Sequence, residues 1–345
     1  MKKKTAAIFG AGPVGLLLCY KLLLLNYRVD VYEIRSKNNF TSRKQVLFLK
    51  PKQYKRLVPR IKRELKQRIC AHATTPEFFA EMNCFFHNYG RKYNFSVEIG
   101  ELQKAIYNAV LKSKKDVHFH FNTAADENLA KRLLKADTKL IISTSGATSS
   151  IVDSLIKSRR KNLCFKKKSC NGFGGTLIGP YYIARTKGVK KARPKRQDVV
   201  RIFPSRKQRL YIGFLMSKKE YEQIKKKKVL QPKVKTRILK KTKEFGIKKI
   251  NFNRMKMSIF PITMFSKSKV IARVDNSIVA NVGDAAYPAH YFTYSGVNNG
   301  FEEVYELMRY KLKDVSTRAL TRRYQTYIDK ASKKYMDKVI QIYSE

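Results

Sequence analysis

The chain has 345 residues, 43% of them hydrophobic, and 75 Lys plus Arg against 25 Asp plus Glu give it a formal charge of +50 at pH 7. That length and apolar fraction support a real core in one large or two modest domains, and there is neither an internal repeat nor a low-complexity block longer than the lysine runs. Five irregularly spaced cysteines argue against a secreted disulfide framework, and the Leu-rich stretch after Gly15 is too short for a membrane span and carries Lys21.

In chain order, Thr5–Phe9 reads as a short apolar strand, Gly10-Ala-Gly12-Pro13-Val14-Gly15 as a tight turn, and Val14–Leu25 as a helix with little polar interruption. Gly10 permits the turn, Gly12 lets a pyrophosphate approach the backbone, and Gly15 lets helix and strand pack closely. Free N–H groups at the helix start would face the phosphates. Tyr27–Tyr32 reads as a second strand ending at Glu33, an acid about twenty residues past the glycines that can accept hydrogen bonds from ribose hydroxyls. A strand this close to Met1 leaves no room for a signal peptide, so the expectation is a soluble intracellular, cytoplasmic protein with reduced thiols. The basic run Lys190–Arg196 leaves a nuclear location open.

Asn38–Leu57 reads as a loop, a strand (Gln45–Leu49) and the start of a helix, and Arg60–Ile69 as a charged helix. Val97–Leu111 is helix-compatible, Val117–Asn122 a strand, Asp126–Lys135 a polar helix, and Leu140–Ser143 a short apolar strand entering the small-residue turn Ser143–Ser150. From about Asn162 the pattern turns to alternating runs, Thr176–Thr186, Val199–Pro204 and Leu210–Leu215, then a Lys-rich helix and a strand at Arg254–Phe260. Ser277–Val282 is again an apolar strand, followed by the Gly283-Asp284 turn, a helix from about Val297 to Leu312 and a basic amphipathic helix at Thr317–Tyr343. That last helix could lie on anionic lipid or nucleic acid, but closing the nucleotide domain is the favoured role.

The excess charge sits in the middle. Residues 160–270 hold 34 Lys plus Arg and 4 Asp plus Glu, so +30 of the total falls in under a third of the chain. Such a field draws polyanions, with nucleic acid or an acidic protein as possible partners, unless the lysines reflect compositional bias.

With the Gly10–Gly15 turn and the distant Gly283-Asp284-Ala-Ala-Tyr287-Pro288 and Gly296-Val297-Asn298-Asn299-Gly300 segments together, the chain resembles the class A, p-hydroxybenzoate hydroxylase-like FAD-dependent monooxygenases over most of its length. The resemblance implies an α/β fold: a Rossmann-like FAD-binding domain with an inserted β-rich substrate domain and a C-terminal helix. The expected division is 1–70, 97–161 and 271–312 for the FAD-binding domain, 71–96 and 162–270 for the substrate domain, and 313–345 for the C-terminal helix. It further implies that Asp284 contacts the ribityl or phosphate region of FAD, and that the helix starting near Gly296 aims its positive end at the flavin, where it stabilises negative charge. Phe40-Thr-Ser-Arg43-Lys-Gln-Val-Leu-Phe-Leu49 and Gly100-Glu-Leu102-Gln103 are similar to the arginine-bearing loop and flavin-side helix of the actin-oxidising MICAL flavoprotein domains, which adds Arg43 and Gln103 as FAD contacts. The expected cofactor residues are thus Gly10, Gly12, Pro13, Val14, Gly15, Glu33, Arg35, Arg43, Gln103, Gly146, Gly283, Asp284, Pro288, Gly296, Val297 and Asn298.

The resemblance implies reduction by NADPH, oxygen activation as a flavin hydroperoxide, and hydroxylation or S-oxidation of a substrate that the basic middle segment suggests is acidic, small or macromolecular. Two departures bear on this. The family's D-G-x-x-S-x-x-R motif reads Ser145-Gly146-Ala-Thr-Ser149-Ser-Ile-Val152, which loses an acid and an arginine connected with FAD pyrophosphate and NAD(P)H. The chain has no tryptophan, so the W-x-W-x-I-P motif of flavin-dependent halogenases is missing and halogenation is not expected. His290, in the loop before the flavin-facing helix with Tyr287, Tyr291 and Tyr294, is the candidate acid/base or positioning group. Cys70-Ala-His72 and Cys84-Phe-Phe-His87 offer metal-binding atom types, but the first spacing is too tight for an ordinary knuckle and no metal is expected. His118 and His120, alternating on one strand, read as structural. The alternative to an oxygenase is a basic nucleic-acid or acidic-protein binding factor that keeps the flavoprotein fold with weak or lost turnover.

Overall fold

The computed structural model describes residues 3–43, 45–70, 95–162, 172–183, 200–205, 209–244, 247–262, 265–288, 296–309 and 317–343. Its main layer is a six-stranded sheet built around β1 (Thr5–Phe9). β1 pairs in parallel with β2 (Arg28–Glu33) on one side and β6 (Leu140–Ser143) on the other. Beyond them lie β5 (Val117–Phe121) at one edge, and β15 (Ser277–Asn281) with β14 (Ile271–Val274) at the other, where β14–β15 is an antiparallel hairpin. β1 and β6 are short, apolar and almost wholly buried, as central parallel strands covered on both faces must be.

Helix α1 (Pro13–Leu24) explains the depth of this core. Pro13 at its first turn supplies a preset φ, and Leu16, Leu17, Leu18, Cys19 and Leu22 are fully buried. A helix apolar on every side must be covered on every side. The sheet covers one face, and α4 (Ile99–Leu111) and α8 (Gly296–Arg309) pack on the others. Each buried leucine contributes roughly 1.5–3 kcal/mol. Burial also pushes the proton affinity of the Cys19 thiol up, which leaves it an inert core residue.

Two short helices, α2 (Pro51–Arg56) and α3 (Pro59–Cys70), follow β3 (Val46–Leu49), which pairs antiparallel with β4 (Phe95–Glu98). Here the structure corrects the expected helix at Val97–Leu111. Val97 and Glu98 belong to a strand, with Val97 opposite Leu47, and the helix starts at Ile99. A partner about fifty residues earlier outweighs the local helical pattern. After β5, Asp126 caps α5 (Glu127–Lys135), its Oδ1 accepting from Leu129 N–H at 2.7 Å. His118 and His120 on β5 face Asp116 and Asp30 at 3.1 and 2.9 Å, which suits the structural role expected of them.

The inserted unit is antiparallel. Its sheet runs β11 (Ile247–Ile250), β8 (Gly172–Ile183), β10 (Arg209–Met216), β9 (Val200–Ser205), and β12 (Lys256–Ile262) also pairs with β8. A two-stranded ladder of β7 (Arg160–Asn162) and β13 (Phe265–Lys267) stands where the chain leaves and re-enters the main layer. The single Lys-rich helix read from the sequence is two helices, α6 (Lys218–Lys227) and α7 (Pro232–Glu244). A capping box of Ser217 and Glu220 starts α6, Lys228 in the left-handed region ends it, and Pro232 opens α7. Ile224, Val234 and Ile238 point into a second core with Leu177, Ile212 and Phe214, and the lysines face outward.

The C-terminal helix α9 (Thr317–Tyr343) buries Leu320, Tyr324 and Ile328 in the main core, packed along β14 and α8. It packs on the main layer rather than standing apart from it. Among the described residues no helix is long and apolar enough to cross a membrane.

Candidate cofactor site

At the C-terminal edge of the parallel strands lies a cavity of about 640 Å³, within the range of ~300–1,000 Å³ usual for small-molecule and cofactor clefts. The glycine turn forms its floor. Gly10 has φ +102°, open to glycine and strained for other residues, and its N–H donates to the Tyr32 carbonyl at 2.8 Å. A Cβ on Gly15 would stand 2.1 Å from the Gly10 oxygen, so helix and turn meet only because that position is bare. Gly12 is the opposite case. A Cβ there would meet nothing within 4 Å and would project into open space at the start of α1. The first N–H groups of α1 have no carbonyl of their own helix to reach, so they are available to an anion.

Glu33, at the end of β2, is buried on the next wall. Its Oε2 accepts from Ala11 N–H at 2.9 Å and from Arg35 Nη2 at 3.0 Å; its Oε1 accepts from Arg35 N–H at 3.0 Å and from Arg35 Nε at 2.7 Å. Burial pushes the carboxyl's pKa up, but the Arg35 hydrogen bonds and charge and the Ala11 N–H outweigh it and hold the group below the usual glutamate range. All four acceptor positions are therefore used within the protein, and a ribose hydroxyl bound here would have to share or exchange one of them. Arg35 also lines the cavity, and its Nη1 donates to the Phe40 carbonyl at 2.8 Å.

Arg43 is exposed on the wall. Its loop is held by the start of α4, where Gly100 N–H donates to the Arg43 carbonyl at 2.9 Å and Ile99 N–H to the Gln45 carbonyl at 2.8 Å. Gln103, one turn further on, does not line the cavity; fully buried, its Nε2 donates to the Ala11 carbonyl at 2.6 Å and so braces the glycine turn from behind.

The loop after β6 supplies Thr144, Ser145, Gly146, Thr148, Ser149 and Ser150 to the opposite wall. The Ser143, Ser145 and Ser149 hydroxyl oxygens form a triangle with sides of 2.7, 2.9 and 3.0 Å. Behind it, Lys267 Nζ donates to the Ser149 carbonyl at 2.9 Å and pairs with Asp153, whose other oxygen accepts from Asn281 Nδ2 at 3.1 Å. Burial pushes the Lys267 pKa down, and Asp153 opposes the shift. These three supports escaped the sequence reading, since they are distant in the chain and none carries a motif. The same holds for Tyr32, Thr123, Ala124 and Ala125, which line the cavity beside Glu33.

The last wall is the short 3-10 turn Gly283–Ala285 with the start of α8. Asp284, exposed, lines the cavity with Gly296 and Val297. Asn298 lies behind the wall, its Oδ1 accepting from Lys50 N–H at 2.9 Å, and Pro288 is buried away from it. Gly283 stands between Asp284 and the strand rather than on the cavity itself, and Gly15 is likewise beneath the floor. Gly10, Gly12, Pro13, Val14, Glu33, Arg35, Arg43, Gly146, Asp284, Gly296 and Val297 all line it. His290, with Tyr291 and Tyr294, lies outside the described residues, as do His72, Cys84 and His87.

Polar atoms left without partners test whether a FAD-sized group suits this cavity. Gln45 Oε1 on the wall and Asn299 Nδ2 near the start of α8 are buried with no hydrogen-bond partner, and such groups call for one. Gly12 and Gly146 leave open space where a side chain would intrude. Two helix N-termini and two arginines suit phosphates and a flavin ring that gains negative charge. The residues fit the group.

No protein-family model and no curated protein matches the sequence. Solved structures do match in shape. The flavin-dependent halogenase CmlS superposes with a TM-score of 0.67 at 14% identity, covering 97% of this chain, which spans only 63% of the halogenase's length. The tetrameric form of 2-methyl-3-hydroxypyridine-5-carboxylic acid oxygenase gives a TM-score of 0.62 at 14% identity over 96% of this chain and 89% of its own. PqsL from Pseudomonas aeruginosa, a probable FAD-dependent monooxygenase, gives 0.60 at 14% identity over 97% and 94%. The chain has the α/β fold of the class A FAD-dependent monooxygenases and flavin-dependent halogenases.

Proposed function

We propose that this protein is a FAD-dependent monooxygenase, reduced by NAD(P)H, that hydroxylates or S-oxidises an acidic small molecule or macromolecule. The observation that carries the reading is a single cavity onto which two helix N-termini, the Glu33–Arg35 pair, Arg43 and Asp284 converge. When bound, FAD supplies the redox chemistry with reductant and oxygen. The chain's own residues bind and orient. The start of α1 and Gly12 receive the pyrophosphate, Glu33 and Arg35 the adenosine ribose, and Asp284 the ribityl region. The start of α8 offsets the negative charge of the reduced ring. Ser145 and Val152 stand where the resemblance implies an acid and an arginine, so the loop meets its ligand with hydroxyls, and the rate of reduction becomes the informative quantity. The basic insert supports an acidic substrate: Lys225–Lys228, Lys233, Lys240 and Lys243 are all exposed on α6, α7 and the turn after α6.

The test is the visible spectrum of the purified protein before and after anaerobic NADPH. A flavin spectrum that bleaches is the expected result. A colourless protein that takes up no added FAD overturns the reading.

The same exposed lysines favour a second reading, a polyanion-binding factor on this fold with little turnover. Its mark is an affinity for nucleic acid that falls steeply as salt rises, by a slope that follows the number of phosphates neutralised. Rapid NADPH oxidation on adding a substrate removes it.

A further inference from the structure

Behind the Gly283–Asp284 turn lies a buried acid that the proposed chemistry does not use. Glu303, two turns into α8, is fully buried. Its Oε2 accepts from Gly283 N–H at 2.7 Å and from the Tyr324 hydroxyl of α9 at 3.4 Å. Its Oε1 is buried with no partner. Tyr324 is itself fully buried, and Tyr287, four residues past Gly283, is 4% exposed.

The geometry makes this more than packing. Gly283 holds φ +69°, a left-handed position just after β15, and its buried N–H needs an acceptor. Glu303 provides it from the helix whose first residues line the cavity. One turn earlier on that helix, a Cβ on Gly300 would lie 2.5 Å from Val14 and 3.4 Å from the Gly283 Cα, so α8, the turn and the start of α1 are in direct contact. The carboxyl faces Asp284, Tyr287, Tyr324 and Tyr327. Burial, with the Asp284 charge adding to it, pushes its proton affinity up, against the Gly283 N–H and Tyr324 hydroxyl.

We infer that Glu303 is a positioning residue for the cofactor turn: through Gly283 N–H and the Tyr324 hydroxyl it ties the C-terminal helix to the backbone that sets Asp284 on the cavity wall. The inference rests on the flavin reading of that cavity. It makes α9 a working part of the site, although none of its residues lines the cavity.

The test is FAD affinity, by flavin fluorescence titration, for the full chain as wild type, E303Q, E303A and Y324F, each also in a D284A background. E303Q keeps a carbonyl acceptor and is expected to bind within about threefold of wild type, whereas E303A loses the buried hydrogen bond and weakens binding roughly tenfold. Y324F is expected to cost about threefold, the lower end for one hydrogen bond. A merely structural role would give the same losses whether or not Asp284 is present. Positioning through Asp284 requires that E303A and Y324F add little to D284A, a non-additivity that a double-mutant cycle reads directly. If E303A does not fold by circular dichroism, the Y324F/D284A cycle decides alone. Wild-type protein that binds FAD while E303A and Y324F bind as well as it does, or lose as much in the D284A background, overturns the inference and leaves the functional reading standing. Wild-type protein that takes up no FAD overturns both.

Discussion

Arg35 closes on Glu33 from three directions, through its backbone N–H at 3.0 Å, Nε at 2.7 Å and Nη2 at 3.0 Å. The acid is thereby held ionised and in one rotamer beside the glycine turn, where it also accepts from Ala11 N–H. A ribose bound at this wall would meet the pair rather than the carboxylate alone.

Removing the guanidinium in R35A should therefore weaken FAD binding by more than one contact's share. Hydrogen bonds to charged groups contribute about 1.5–3 kcal/mol, which predicts a loss of roughly ten- to a hundredfold. The pH dependence has a definite sign. Glu33's native pKa is depressed, so its ionised contribution is present above the ordinary glutamate range and lost as pH falls through the depressed value. In R35A burial acts with less opposition and the loss begins at higher pH. Flavin titrations from neutral to acidic pH on both proteins check it, and identical pH profiles would count against the pair.

Gly12 and Gly15, three residues apart, should respond in opposite ways. A methyl at Gly15 meets the Gly10 oxygen at 2.1 Å and the Thr144 Oγ1 at 2.5 Å, and backbone cannot yield as a side-chain tip can. G15A should cost about 1–3 kcal/mol or more of stability, the range for overpacking. G12A meets nothing within 4 Å, so it should melt within about 0.5 kcal/mol of wild type while its methyl intrudes where the pyrophosphate would lie. Thermal melts and FAD titrations on the two variants separate the effects. A G12A protein with unaltered flavin affinity would place the phosphates elsewhere.

How much of this was legible in sequence depends on how local each cause is. The glycine turn, β1 and the strand ending at Glu33 could be read because a tight turn and a fully covered strand constrain neighbouring residues. The two-helix nature of the lysine-rich stretch had local signs too, in Ser217 with Glu220 and in Pro232, but the lysine run masked them. β4 could not be read, because its cause is β3, across a segment of about fifty residues. The sequence points to both Glu33 and Arg35, yet their mutual saturation depends on side-chain rotamers. Gln103, expected to contact the cofactor, donates to the Ala11 carbonyl behind the glycine turn. Lys267, Asp153 and Ser149 meet only because β13 returns beside β7.

That last cluster predicts an asymmetry. Lys267 has a fully buried side chain and Asp153 one that is 15% exposed. Removing only the cation in K267A strands a mostly buried carboxylate and releases the Ser149 carbonyl, a loss of about 3–5 kcal/mol for breaking such a pair. Replacing both partners in K267M/D153L should cost less, since neither charge then has to be desolvated and no buried charge is left unpaired. Chemical denaturation of both variants is the check, and a double variant less stable than K267A would contradict it.

Glu303 offers a pH signature that is independent of the cofactor. Its native proton affinity is raised by burial and by the Asp284 charge, with the Gly283 N–H and Tyr324 hydroxyl opposing. Below the ordinary glutamate range the folded and unfolded chains both hold the proton, and the neutral acid's contribution is fully present. As pH climbs from that range toward the raised native value, the unfolded chain ionises first and the contribution is lost, at up to about 1.4 kcal/mol per pH unit. E303Q does not titrate. Its stability relative to wild type should therefore be lowest at acidic pH and improve as pH rises from the ordinary glutamate range toward the raised native value, whatever the constant offset from exchanging a hydroxyl for an amide. The tyrosines facing the carboxyl, Tyr287, Tyr324 and Tyr327, all have raised pKa values and stay neutral across this window, so they add no slope of their own. Denaturation midpoints of the two proteins across the acidic to neutral range provide the comparison. A difference independent of pH would mean that Glu303 ionises in the fold as it does in water, and that the turn is held by a charge rather than by a neutral acid.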